Sequence, residues 1–370
     1  MSEPLAILHV LVSTRPGGGP QHVLAVAQGL RARGWRPIVA GPPAGPMFER
    51  FRAAGAETLA LRADRLSPLT LLRLVRLIRH QRVRLVHSHG KGAGIHARLA
   101  ARLTGVPAVH TLHGLHYERF VPPIRAAYLK LERRLSAYTH VVVNVSRAQE
   151  VEGLALGLFS AGQSRVIHNG VDVAGLGARA LDRWDARVTL KLDQSALVVG
   201  TAARFDEVKR LDLLLRAVAA TLAPPFGLAL IGHGPEEPRL RGLARDLGLE
   251  RRVTFAGEVP GAATLFHAFD VFVSASRKEG LPLAVLEAMA LGLPVVASDI
   301  PAHREVLGDA SAGLTEGTVE AFAARLATVL SEAELRRRLA AENRTRARSE
   351  FDAHGMLDAL EAVYREALRL

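Results

Sequence analysis

The sequence predicts an α/β chain built as two doubly wound, parallel-sheet domains. Three observations predict it. Short apolar runs alternate with amphipathic segments, the signature of βα units. The alternation fades over residues 172–195 and begins afresh at Leu197. The length, 370 residues, is about twice the common domain size.

Taken in order, the first half offers strands at Leu5–Val12, Pro37–Ala40, Leu85–Ser88, Ala108–Thr111 and His140–Val145. Helices are expected at His22–Arg33, Leu69–Gln81, Gly94–Thr104 and Pro123–Ala137. The second half offers strands at Leu197–Thr201, Gly227–Ile231, Val253–Phe255, Val271–Ser274 and Pro294–Ala297. Its helices include Arg210–Thr221, Glu237–Leu247, Leu283–Leu291 and Val319–Leu330. The expected domains are residues 1–178 and 179–353, both Rossmann-like, with a final helix at 354–370 free to pack back on the first.

Composition narrows the class. Hydrophobic residues at 49% and charged residues at 23% exclude a largely disordered chain. No apolar run approaches the roughly 18 residues of a transmembrane helix. The start, Met1-Ser2-Glu3-Pro4, lacks the basic region of a secretory signal. Cysteine is absent, which excludes disulfides and thiolate metal sites. A cytoplasmic protein is the expectation. The net charge of +12 is unevenly placed: residues 1–178 carry 23 basic and 9 acidic residues, and the remainder 25 and 27. Arginine-rich composition alone, 43 Arg among 48 basic residues, would load both halves equally. The first half is therefore expected to meet a polyanion, whether nucleic acid, acidic membrane or phosphorylated substrate.

Four motifs carry chemistry. Pro16-Gly17-Gly18-Gly19 joins the first strand to its helix, where backbone amides and a helix start can hold an anion. It is neither GxGxxG nor a P-loop, and a tight connection alone would also explain it. Histidines stand at strand ends: His87, His89, His110, His113 and His116. No acidic partner is assigned to complete a metal site, so no metal is expected, and His113 is the best placed for a cleft. Arg204 and Lys209 lie on a strand-to-helix loop, where two cations can converge on a diphosphate. Glu279 follows the strand Val271–Ser274 in a Gly-Leu-Pro loop, and Glu287 lies inside the next helix. Their spacing alone means nothing, since Glu49/Glu57 and Glu250/Glu258 share it. Their setting suits hydrogen bonds from sugar hydroxyls beside a phosphate. The four converge on a nucleotide-sugar.

The stretch from Ser274 to Asp299, SASRKEGLPLAVLEAMALGLPVVASD, resembles the signature of glycosyltransferase family 4 in its full setting. Pro16–Val23, Val109–Gly114, His168–Asp172, Arg204 with Lys209, and Ile231–Pro235 support the resemblance, which spans residues 5–345. It implies the GT-B fold, two Rossmann-like domains facing across a cleft, and a retaining, metal-independent transferase. Arg204 and Lys209 would neutralise the donor diphosphate, with Gly17 and Gly18 contributing backbone amides. Glu279 would hydrogen-bond the transferred sugar, Gly280, Leu281, Pro282 and Leu283 would hold its far face and the phosphate, and Glu287 would grip the ribose. His113 would lie beside the reacting centre. Two departures stand out: Arg210 replaces a common glycine, and His233 a frequent aspartate.

His87–Gly94 and Thr111–His116 look most like the branch that extends lipid-linked capsular or exopolysaccharide intermediates. That implies a UDP-sugar donor and a glycan or lipid-linked acceptor, with no cofactor and no nucleic acid. Rival readings are a UDP-sugar 2-epimerase, a transferase with a small soluble acceptor, a phosphorylase, and a periplasmic binding protein. A phosphorylase would need a late lysine, and none follows Lys278. Finally, residues 62–84 hold seven Arg against one acid, with Arg73, Arg76 and Arg79 recurring beside Leu72, Leu74, Val75, Leu77 and Ile78. With Arg119–Arg134, this segment gives the first domain a face for an anionic membrane, placing the protein peripherally on the inner leaflet.

Overall fold

The computed structural model describes residues 4–115, 117, 120–222 and 224–369. The chain divides into two compact units, Met1–Gly170 with Ala353–Leu370, and Val171–Asp352.

Among the described residues the first unit holds β1 (Ala6–Leu11), β2 (Arg36–Gly41), β3 (Glu57–Ala60), β4 (Leu85–His89), β5 (Ala108–Leu112), β6 (Val141–Asn144) and β7 (Ser164–Val166). They form one all-parallel sheet in the order β3-β2-β1-β4-β5-β6-β7. Helices cover both faces, so the central strands are buried on both sides and β1, β4, β5 and β6 are buried throughout. In β4 this has a chemical consequence. Its sequence ends His-Ser-His, so burial carries two imidazoles and a hydroxyl inside with it.

The last helix, Ala353–Leu368, belongs to this unit. Met356, Leu357, Leu360 and Tyr364 join a buried cluster with Ile7, Val26, Leu85 and Val109. Its rim is pinned by Glu361, which accepts from Trp35 Nε1 at 3.3 Å and from Arg33 at 3.2 Å. Between the helices Lys91–Thr104 and Pro122–Ser136 lies a buried ion pair, Arg98 to Glu132 at 2.7 Å, whose desolvation is offset only because both charges are paired.

The second unit, among the described residues, holds β8 (Leu197–Ala202), β9 (Phe226–Ile231), β10 (Val253–Gly257), β11 (Val271–Ser274), β12 (Val295–Ser298) and β13 (Leu314–Thr315), parallel in the order β10-β9-β8-β11-β12-β13. The helix Leu211–Ala220 buries Leu211, Leu214, Leu215 and Val218 against Leu228, Leu230, Phe322 and Leu326. Each such side chain contributes roughly 1.5–3 kcal/mol by leaving water.

Four features differ from the sequence reading. The edge strands β3, β7 and β13 were not expected: β3 is half exposed and carries Glu57, and the other two are three and two residues long. The weakly periodic stretch after 172 is ordered, as the helices Val173–Arg179 and Arg183–Leu190. Arg187 organises it from within, donating to the carbonyls of Asp193, Gln194 and Ala196 at 2.8–2.9 Å and to Asp270 at 3.0 Å. The helix Val173–Arg179 sits with the second unit, against Leu283–Ala290, so the division falls at Gly170 and not at 178. The first helix begins at Gly18 and not at His22, because Gly17-Gly18-Gly19 is its cap and first turn.

Candidate active site

A doubly wound sheet has a topological switch point, where neighbouring strands send their connections in opposite directions and leave a crevice at their carboxyl ends. In the second unit that point lies between β8, which leads on to β9 and β10, and β11, which leads on to β12 and β13. The loops leaving these two strands carry Arg204 with Lys209 and Glu279 with Gly280.

Lys209 closes a single 3-10 turn, Glu207–Lys209, and its Nζ donates to Glu279 Oε1 at 2.6 Å. Ser276 Oγ donates to the same oxygen at 2.7 Å. The two loops are tied by their backbones as well, Arg277 N donating to Val208 O at 2.8 Å. Burial pushes the Glu279 carboxyl up, but the Lys209 ammonium and the hydrogen bonds from Lys209 and Ser276 outweigh it. Glu279 is held below the usual carboxylate range and is ionised. Arg204 is exposed and turns to Asp206, its Nε donating at 2.8 Å.

The rest of the loop builds a hydrogen-bonding floor. Leu281 and Pro282 are buried, and the helix Leu283–Ala290 starts at Pro282 with no side-chain cap. Its first amides and its dipole therefore favour an anion. Glu287 sits half-buried in its second turn. The turn Gly232-His233-Gly234 supports the Arg204 loop from behind, with Phe205 N donating to His233 O at 2.8 Å. A Cβ on either glycine would run into the backbone of Ala203 or Phe205, which is why both positions are glycine.

Sequence reasoning missed His303. It is fully buried in the helix Pro301–Leu307, its Nδ1 2.7 Å from Ser298 O and its Nε2 3.1 Å from Ser274 Oγ. Ser298 Oγ in turn donates to Ser276 O at 2.5 Å. Burial, opposed by the Glu279 charge, lowers its pKa, so it is a neutral strut between the ends of β11 and β12. The Ser-Asp-Ile-Pro-Ala-His run after β12 was the available signal.

The first unit has its switch point between β1 and β4. Gly17 caps the helix Gly18–Ala32, which has no side-chain cap and no acidic residue in its first turn. A Cβ at Gly19 would meet the His113 ring at 3.4 Å, so glycine lets this turn approach that histidine closely. His113 is only one of a group. His9, His22, His87 and His89 are buried beside it, with ring centres 4.1–5.7 Å apart in successive pairs. His89 Nε2 lies 3.1 Å from His9 Nδ1, and His89 Nδ1 lies 3.1 Å from His113 Nε2. His87 is committed elsewhere, to Tyr364 OH at 2.6 Å and Thr111 Oγ1 at 2.7 Å. His110 lies apart, 2.8 Å from Ser88 Oγ. His116 lies outside the described residues.

Burial lowers all of these pKa values: His9 to about 3, His22 to about 4, and His87, His89, His110 and His113 well below the ordinary value. Neighbouring ionisable groups add to the effect at all but His22, where a hydrogen bond with Asn169 opposes it. His113 is thus a neutral hydrogen-bonding group. The sequence reading expected any metal site here to need an acidic ligand. The fold supplies histidines instead, His9 from β1 and His22 from the first helix.

Two family models match the chain: "Glycosyltransferase Family 4" over residues 16–174, and "Glycosyl transferases group 1" over residues 182–346. The D-inositol 3-phosphate glycosyltransferase of Saccharomonospora viridis is 32% identical over 308 residues, covering 77% of this chain and 70% of that one. The chain belongs to glycosyltransferase family 4. Its enzyme class follows: it is a glycosyltransferase. The UDP-Gal:alpha-D-GlcNAc-diphosphoundecaprenol alpha-1,3-galactosyltransferase of Escherichia coli is 28% identical over 269 residues, covering 70% of this chain and 69% of that one. Among solved structures, Anabaena Alr3699/HepE, in complex with UDP and glucose, superposes with a TM-score of 0.87 at 22% identity, covering 98% of this chain and 100% of that one. Sucrose-phosphate synthase from Thermosynechococcus elongatus gives 0.82 at 23% identity, covering 98% of both. The fold is GT-B, as the resemblance implied. No helix among the described residues is long and apolar enough to cross a membrane.

The departure from the family pattern at Arg210 has a structural counterpart. Arg210 adopts φ 51° and ψ 39°, the left-handed region that favours glycine. Its ion pair to Asp212, at 4.0 Å, is too long to offset the strain. Arg210→Gly should raise stability by about 0.5–1 kcal/mol. Thermal unfolding checks this, and an unchanged or lower midpoint would contradict it.

Proposed function

We propose that this glycosyltransferase takes a sugar from a UDP-sugar and transfers it, with retention and without a metal ion, to a lipid-linked glycan acceptor in surface-polysaccharide synthesis. One observation carries the reading: a half-buried carboxylate and an ammonium, Glu279 and Lys209, meet at 2.6 Å over the switch point of the second sheet, beside an uncapped helix start. The UDP and glucose bound by the Anabaena structure and the lipid-diphosphate substrate in the name of the Escherichia coli relative support the donor and acceptor classes.

In this reading the second unit grips the donor. Lys209 and Arg204 meet the diphosphate, and the amides of Gly280–Leu283 add partial positive charge. Glu279, kept ionised, accepts from sugar hydroxyls, and Glu287 accepts from the ribose. As the glycosidic bond breaks, charge grows on the leaving diphosphate and the fixed cations meet it without reorganising. Within the first unit, Gly17 and Gly18 offer backbone amides and His113 a neutral hydrogen-bonding group. The acceptor hydroxyl attacks on the face the nucleotide leaves.

The basic segment expected to meet a membrane is narrower than its sequence pattern. Leu74, Val75 and Ile78 of the helix Pro68–His80 are core, so the apolar stripe is spent inside the unit. Arg73, Arg76 and Arg79 are exposed, and so are Leu66, Leu69 and Leu72, at 72%, 68% and 43%. We assign this mixed face to an anionic bilayer, where each basic residue contributes about 1 kcal/mol.

Glu279→Gln and Lys209→Ala should each lower kcat/KM by about 100-fold or more while the chain stays folded, the scale of removing one charge-stabilising group. Release of UDP from UDP-glucose, UDP-galactose or UDP-N-acetylglucosamine, with a polyprenyl-diphosphate-linked sugar as acceptor, is the assay. Wild-type kcat/KM in either variant would remove these residues from the site. Co-sedimentation with vesicles should show binding to anionic but not neutral lipid, weakening as salt rises. Equal binding to both, or none at low salt, would favour a soluble acceptor.

A further inference from the structure

Five neutral imidazoles crowd the end of the first sheet, and one of them is poorly partnered. His22 is 3% exposed, and neither Nδ1 nor Nε2 makes a well-formed hydrogen bond, although the Asn169 side chain approaches it. A neutral imidazole always carries one N–H, so this buried donor is weakly satisfied. Nothing in the transfer reaction uses His22. Its ring centre lies 5.1 Å from that of His113 and 5.7 Å from that of His89.

We propose that His22, His89 and His113 form a binding site for a divalent transition-metal ion, with Zn²⁺ as the best fit. One nitrogen from each residue lies within 4.8 Å of the other two. The His89 Nδ1 to His113 Nε2 separation, 3.1 Å, is already close to the roughly 3.3 Å edge of a tetrahedron with 2.0–2.1 Å zinc–nitrogen bonds. Binding would require the remaining edges, each within 4.8 Å, to close by movement of the His22 ring. His89 then ligates through Nδ1 and carries its proton on Nε2, which donates to His9 Nδ1 at 3.1 Å. A hydrogen bond of that kind fixes the tautomer and orientation of a metal-ligating histidine. The neighbouring trio His9, His87 and His89 is the poorer site, because Tyr364 and Thr111 occupy both nitrogens of His87.

The donor set fixes the ion class. Three imidazoles and no carboxylate suit Zn²⁺, Co²⁺, Ni²⁺ or Cu²⁺ and offer nothing to Mg²⁺ or Ca²⁺. Three protein ligands leave a coordination position open, and an ion among neutral groups calls for water or an anion there. His113 is the half-exposed member, so the site has an entry path.

Equilibrium dialysis of EDTA-stripped, tag-free protein against Zn²⁺ tests the site. One ion per chain is expected, undisturbed by excess Mg²⁺, and Co²⁺ should give the visible absorption of a four- or five-coordinate centre. His22→Leu keeps the volume and removes the poorly partnered nitrogens, so the metal-free variant should stay folded while its Zn²⁺ affinity falls at least tenfold. No binding by wild type, or undiminished binding by a folded His22→Leu, would overturn the proposal. Transfer activity that survives EDTA separates this site from donor chemistry. Activity lost to EDTA and restored by Zn²⁺ would refute metal-independent transfer while leaving the site in place.

Discussion

Everything functional in the second unit depends on the pairing of β8 with β11. Those two strands are where the sheet changes winding direction, so no connection crosses above them and their loops stand open. Into that opening the chain sends a lysine on one side and a glutamate on the other. The two charges satisfy each other at 2.6 Å, and the lysine holds the carboxylate ionised. Ser276, the Arg277–Val208 backbone bond and the His303 strut fix the loop geometry around the pair, so a ligand meets groups already in place.

The two units solve different chemical problems with the same topology. The second has near-balanced charge and concentrates it in one ion pair beside an uncapped helix. The first carries the excess of arginine on its surface, yet the end of its sheet holds a cluster of neutral imidazoles. Burial produces that contrast. Helices cover both faces of β1 and β4, and any histidine placed there is stripped of water and of its proton.

What was legible in the sequence follows from how local each signal was. Central strands are continuous apolar runs, so the core of both sheets could be placed to within a residue or two. The edge strands β3, β7 and β13 are short or half exposed and carry no such run. Glu279 and Lys209 were readable because each sits in a patterned loop next to a clear strand, and the structure brings them into contact. His9, His22 and His303 were not. Each looks like an ordinary residue of a strand or helix, and its role exists only once distant segments meet. The basic helix was half legible: its arginines are exposed as its pattern suggested, but its apolar stripe proved to be core.

The central claim is that Lys209 holds the diphosphate and Glu279 holds the sugar. Calorimetric titration separates them, using UDP and whichever UDP-sugar wild type binds most tightly. Lys209→Met should weaken both ligands alike, since both carry the diphosphate. Glu279→Gln should bind UDP as wild type does and lose only the added affinity of the sugar. UDP binding untouched by Lys209→Met, or weakened by Glu279→Gln as much as the UDP-sugar, would contradict the account.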